Sequence, residues 1–281
     1  MISIIVPAFN ESAVIDRTLR SMTHGANPGE LDVIVVCNGC TDRTATIARS
    51  FGQPVRVIET ELPSKPRALN LGDQAAKTFP RLYTDADVTI TIDTIRRLAK
   101  RLERGDVLAV APSPQIDLAA SSWPVRACFD ITSRLPSAQE GIGGSGVYAL
   151  SEAGHRRFHE FPMVTSDDVY VRIQFRPDER ETLTFASSIV FAPATIKDLI
   201  VYKTRAHYGS FELAMLFPQL WENSGGSNTV ALGRLFKYPW LWHKLCVYSS
   251  IAILARCRAM LQLRRRSFAW RRDETSRLGA K

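Results

Sequence analysis

The first half of the chain alternates between two hydrophobic patterns. The apolar runs "ISIIVPAF", "LDVIVVCN" and "VRVIET", and a fourth ending in "RLYTDADV", have the length and makeup of buried strands. Between them, apolar residues fall at helical spacing. Val14, Ile15, Leu19 and Met22 do so in "ESAVIDRTLRSM", and Ile95, Leu98 and Leu102 form one stripe in "TIRRLAKRLERG". "TATIARSF" and "PRALNLGDQAAKTF" read as two further helices, and "DVLAVAP" as a fifth strand. This β-α repetition predicts a parallel sheet with helices on both faces. Sheets of that kind bind ligands at the carboxyl ends of their strands.

The predicted strand ends are all polar: "PAFNE", "CNGCTD", "ELPSKPRALN" and "TDADV". They bring Asn10, Glu11, Asn38, Asp42, Lys65, Asp85 and Asp87 to one rim. Asp85 and Asp87 are spaced to share a strand face, and two like charges held that close need a cation, a proton or open water. The set suits a nucleoside diphosphate bridged by a divalent cation such as Mn²⁺ or Mg²⁺. Taken alone, the two aspartates fit a solvated turn capping the next helix better than a ligand site.

Composition narrows the classes. With 281 residues, 45% of them hydrophobic and 23% charged, the chain is long enough for one large α/β domain and its appendage, and global disorder is excluded. The formal charge of +8 favours anionic partners. The opening "MISIIVPAFNE" has neither a basic leader nor a long apolar core, and the cysteine count of five is odd; both lead to the expectation of a cytoplasmic protein. Cys37 and Cys40 have C-x-x-C spacing, but Cys128, Cys246 and Cys257 form no second pair for zinc.

The last third differs in character. Residues 229–281 read as a helical, basic region in which tryptophans, short apolar stretches and arginines alternate. That mixture suits either a helix lying on an anionic membrane surface or one packed on the preceding domain. No nucleic-acid recognition motif accompanies its arginines, so no nucleic acid is expected.

In order along the chain, "VPAFNE", "CNGCTDRT", "KPRALNLG", "YTDADV", "GGSGVYALS", "TSDDVYV" and "YKTRAHYG" resemble the family 2 glycosyltransferases of GT-A fold. The resemblance spans roughly residues 2–212 and implies an enzyme that moves a sugar from a nucleotide-diphosphate sugar to a hydroxyl acceptor with inversion. UDP is the expected nucleotide and Mn²⁺ or Mg²⁺ the expected cofactor. It implies a catalytic domain at 1–222, with a nucleotide-binding part at about 1–110 and an acceptor-side part at about 111–222. By this likeness Pro7, Ala8, Asn10, Glu11, Asn38, Lys65 and Asn70 hold the nucleotide, Asp85 the ribose or sugar, and Asp87, with Asp85, the metal. Asn38 stands where the family commonly has an aspartate. Gly144 and Gly146 would line the sugar pocket, Asp168 beside Asp167 would be the general base, Arg205 would clamp phosphate and His207 would bind the metal or the diphosphate. A lipid-linked acceptor, a cell-envelope glycan or a natural product would fit, with the protein peripheral on the inner face of the membrane. A sugar nucleotidyltransferase and a catalytically silent nucleotide-sugar-binding scaffold remain open as alternatives.

Overall fold

The computed structural model describes residues 1–226 and 228–265; the rest of the basic region expected at 229–281 lies outside the described residues. The elements are, in order, β1 (Ile2–Ala8), α1 (Ile15–Thr23), β2 (Leu31–Asn38), α2 (Thr44–Arg49), β3 (Val55–Thr60), α3 (Lys65–Ala75), β4 (Arg81–Thr84), β5 (Thr89–Ile90) and α4 (Ile92–Leu102). They continue with β6 (Ala109–Asp117), α5 (Trp123–Thr132), β7 (Val147–Leu150), α6 (Glu152–His155), α7 (Asp167–Ile173), β8 (Arg180–Phe191), α8 (Ile196–Leu216), α9 (Thr229–Leu235) and α10 (Trp242–Arg264).

The sheet runs β3-β2-β1-β4-β7-β6-β8-β5. β1 pairs in parallel with β2 and β4, and β2 with β3, as the apolar runs predict. The sheet is mostly rather than wholly parallel, as the GT-A likeness implies: the strand from the glycine-rich segment, β7, lies antiparallel between β4 and β6. β6 consequently runs in the same direction as β4, so the βα repetition holds in direction while the neighbour differs.

Alternation along β1 and β2 decides which helix covers which face. Ile4, Val6, Val33 and Val35 face a core built with Leu19 and Met22 of α1, Ala45 and Ala48 of α2, and Ile95 and Leu98 of α4. Ile5 points the other way, against α3. The contact is so close that a Cβ on Gly72 would lie 2.4 Å from Ile5 Cγ2, so only glycine lets α3 approach at this point.

By packing, the chain divides into two units: residues 1–115, 141–163 and 174–190 form the first, and residues 116–140, 164–173 and 191–281 the second. The second unit is helical. Its core joins Val125 and Cys128 of α5, Leu199 and Ile200 of α8, and Ile251 of α10. Among the described residues no helix is long and apolar enough to cross a membrane.

Candidate functional site

In the first unit the strand-end residues are tied to one another. Asn10, at the end of β1, adopts φ 52°, the left-handed region in which asparagine is enriched. There its Oδ1 accepts from the main-chain N–H groups of Thr41 (2.7 Å) and Asp42 (3.3 Å) in the loop after β2. The Glu11 N–H donates to Thr44 Oγ1 at 2.7 Å and the Ser12 N–H to Asp42 Oδ2 at 3.0 Å, which completes the stitching of the two loops. Burial works against the Asp42 charge, but hydrogen bonds from Thr44 and Ser12 outweigh it and hold that carboxyl below its ordinary range.

Pro7 and Ala8 are buried at the end of β1. The Asn38 side chain is buried as well, and its amide donates to the Ala8 carbonyl at 2.8 Å. A carboxylate has no proton to give there, so the asparagine at this position is explained by a main-chain bond. Cys40 Sγ sits on the same carbonyl at 3.3 Å and accepts from the Asn10 N–H at 3.3 Å. A hydrogen bond from Cys37 pushes the Cys40 thiol down to about 7 against its burial, while the same bond and burial push Cys37 up. Both cysteines are free thiols.

Lys65 opens α3 behind the N-cap Ser64, and its Nζ lies 2.7 Å from Asp85 Oδ1. Two expected site residues from successive strand ends thus meet directly. Asn70 lies one turn further along α3: its amide donates to the Phe161 carbonyl at 3.0 Å and accepts from the Phe161 N–H at 2.8 Å. These two bonds clamp the 161 segment to α3 and leave the amide one further N–H and one further lone pair.

The acidic turn follows β4. Asp85, Asp87 and Thr89 are partly exposed and Ala86, Val88 and Ile90 buried; the pair lies past the end of β4 in a turn where the Val88 N–H donates to the Asp85 carbonyl at 3.3 Å, not on the strand expected. Three contacts from α1 fix it: Arg17 donates to the Asp87 carbonyl (3.1 Å), Thr18 to Ala86 (2.8 Å) and Ser21 to Ile90 (2.9 Å). Sequence reasoning missed these anchors, which sit among the polar positions of an ordinary amphipathic helix. From the other side the Asp85 N–H donates to the Gly146 carbonyl at 2.9 Å. Gly146 has φ 64°, and a Cβ there would lie 2.5 Å from Val88 Cγ2, so glycine is required beside the acids. Gly144 lies within the preceding turn, its N–H donating to the Gly141 carbonyl at 3.1 Å.

In the second unit, Asp167 and Asp168 open α7, where carboxylates suit the positive end of the helix dipole. Asp167 is buried; Asp168 is half-buried and its Oδ1 accepts from the Val169 N–H at 2.8 Å. The segment before α7 is pinned to α8. Glu212 accepts from the Thr165 N–H at 2.7 Å, and a Cβ on Gly209 would fall 1.9 Å from Ser166 Oγ.

Arg205 and His207 both lie on α8, two residues apart and therefore about 200° apart around the axis. Arg205 shares the face of Gly209 and Glu212, which meets the segment carrying Asp167 and Asp168. His207 lies on the opposite side: its ring stacks on Phe211 at 6.3 Å, and Lys203 and Arg256 of α10 are its charged neighbours. Burial first, then those two cations, push the imidazole down to about 4. The phosphate contact expected of Arg205 and the metal or diphosphate contact expected of His207 therefore start from different sides of α8, and the cations beside His207 favour an anion there over a metal ion.

The family model described as glycosyl transferase family 2 matches residues 3–141, just under half of the chain, and over that stretch the chain is similar to this family. The chain resembles the mannosyltransferase PcManGT of Pyrobaculum calidifontis, solved with GDP-Man and Mn²⁺ (TM-score 0.59, 18% identity, 99% of this chain and 82% of that one). It also resembles glucosyl-3-phosphoglycerate synthase of Mycobacterium tuberculosis, solved with Mn²⁺, UDP-Glc and phosphoglyceric acid (TM-score 0.56, 19% identity, 76% of this chain and 79% of that one). The expected GT-A fold is borne out by both. Among curated relatives, 4,4'-diaponeurosporenoate glycosyltransferase of Staphylococcus aureus is 37% identical over 92 residues. That match covers 31% of this chain and spans about a quarter (24%) of the relative's length.

Proposed function

We propose that the chain is an inverting glycosyltransferase that moves a sugar from a nucleotide-diphosphate sugar, with UDP as the nucleotide, to a hydroxyl acceptor. The observation that carries this reading is the 2.7 Å pairing of Lys65, in the segment after β3, with Asp85, in the turn after β4, with Asp87 two residues on. A cation and two carboxylates on one rim match the opposite charges of a diphosphate and a divalent metal. Asp85 and Asp87 offer the hard oxygen donors that Mn²⁺ or Mg²⁺ takes, and among the described residues no cluster of three His, Cys, Asp or Glu side chains could hold a metal alone. The residues fit a cation shared with the ligand's own phosphate oxygens. When bound, that cation offsets the charge gathering on the departing diphosphate.

The protein groups supply the rest. Pro7, Ala8 and the stitched loops of Asn10 and Glu11 form the nucleoside rim, Asn38 holding its floor through the Ala8 carbonyl. Lys65 carries charge toward the diphosphate, and the Gly144–Gly146 turn leaves room for the sugar. Asp168 takes the proton of the acceptor hydroxyl as its oxygen attacks the anomeric carbon, the bond to the diphosphate breaks, and the nucleoside diphosphate leaves. Arg205, on the α8 face nearest that base, neutralises phosphate. Work in the cytoplasm, at the inner face of a membrane and on a lipid-linked, cell-envelope or natural-product acceptor, belongs to the same reading.

Thermal-shift titration with UDP- and GDP-sugars, with and without Mn²⁺, followed by donor hydrolysis, tests it. Stabilisation by one nucleotide-sugar that requires Mn²⁺ and disappears in Asp87→Ala is expected. Binding without turnover when acceptors are supplied would leave the scaffold alternative, and Mn²⁺-independent binding unchanged in Asp87→Ala would remove the metal assignment.

A further inference from the structure

Helix α10 is apolar on two opposite sides, and only one of them is used. Leu245, Ile251, Ala255 and Ala259 are buried, Ile251 against α5 and α8 in the core of the second unit. The other side carries Trp242, Ile253, Met260 and Leu261, all exposed, Ile253 to 63%. At 100° per residue these four fall within about a third of the circumference, so they form one outward stripe along a helix roughly 35 Å long. Just before α10, Phe236, Tyr238 and Trp240 are exposed as well.

Charge selects the occupant of this stripe. Residues 228–265 contain seven lysines and arginines and no aspartate or glutamate. Arg256 lies on one flank of the stripe, and Arg258 and Arg265 on the other, all exposed. A second copy of the chain would bring one acid-free basic face against another, which Coulomb repulsion opposes. A bilayer with anionic headgroups meets every feature together. It takes the apolar stripe at the acyl boundary, accepts tryptophan and tyrosine at headgroup depth, and lets the arginines reach the phosphates while their stems stay in apolar surroundings.

We propose that the outward face of α10, from Trp242 to Leu261, lies flat on an anionic lipid bilayer and anchors the protein there. This deepens the inner-membrane part of the proposed function, but its test involves neither donor nor metal, so it stands or falls apart from the transfer chemistry. The intact protein is floated with vesicles of phosphatidylcholine alone and of phosphatidylcholine mixed with phosphatidylglycerol. Binding to the anionic vesicles, weaker on plain ones and weakened by salt, is expected. Ile253→Glu with Leu261→Glu should weaken it more than tenfold while the thermal unfolding profile stays unchanged. Arg256→Gln and Arg258→Gln should each weaken it about fivefold. No binding to anionic vesicles, or equal binding by the double glutamate variant, overturns the proposal. So does a lipid-free dimer that the same variant dissolves, because it gives the face to a second copy.

Discussion

The two units hold their functional side chains by different means. In the first unit the residues stand at the ends of successive parallel strands and bond to one another across the loops: Asn10 to the Thr41–Asp42 turn, Asn38 to Ala8, Lys65 to Asp85. In the second they stand on helices, and position comes from packing, as where Gly209 admits Ser166 against α8. A strand end delivers its loop to the rim whatever the exact phase of the side chain. On a helix a displacement of two residues turns a group to the far side. Under the proposed function, donor binding falls to residues held by main-chain bonds at strand ends, and proton removal to residues whose direction depends on which face of α7 is presented.

The largest expected effect sharpens this division. Asp168→Asn keeps the shape of the α7 start and the acceptor for the Val169 N–H, but takes away the basic carboxylate. Turnover should fall by about 10²–10⁴-fold, the range typical of a lost general base, while donor affinity measured by thermal shift stays the same. Full activity in this variant would move the base to Asp167 or elsewhere, and a parallel loss of donor affinity would break the separation of the two roles.

The legible parts of the molecule follow the same line. β1 and β2 are readable because burial on both faces enforces continuous apolar runs, and the acidic pair because Ala86 turns inward between its two partly exposed members. The antiparallel insertion of β7 is not readable: four residues carry no record of their direction, which is set by pairing with β4 and β6. Asn38 and Asn70 are expected ligand contacts by family likeness, and each also holds main chain. Their partners are main-chain groups far along the sequence, such as Phe161, that no local pattern announces. The division into interleaved units is hidden for the same reason. His207 stands two residues from Arg205 in the sequence, and only the helical period reveals that they diverge.

A smaller effect tests the main-chain reading of the first unit. Asn38→Asp restores the residue type expected by family likeness but removes the proton given to Ala8 and sets a carboxylate against that carbonyl in a buried position. Loss of such a buried bond costs about 1–3 kcal/mol. Chemical denaturation should show a loss of that order at pH 7, lessened as acid protonates the new carboxyl. If the variant is as stable as the parent and binds donor more tightly, Asn38 faces the base rather than supporting the loop.

The smallest effect at neutral pH concerns His207 and tests the packing of the second unit. Its imidazole is held down to about 4, first by burial and then by Lys203 and Arg256, whereas in the unfolded chain it titrates near the ordinary value of about 6.5. Between those values the unfolded chain takes up a proton that the folded chain refuses. The contribution of this histidine to stability is thus full above about pH 6.5 and is lost as pH falls toward 4. The unfolding temperature should decline over that window, and His207→Gln should make the decline shallower without altering donor binding at pH 7. An unchanged pH profile would mean that the imidazole protonates freely in the folded chain, and that α8 and α10 open on that side more readily than their packing around Leu199, Ile200 and Ile251 implies.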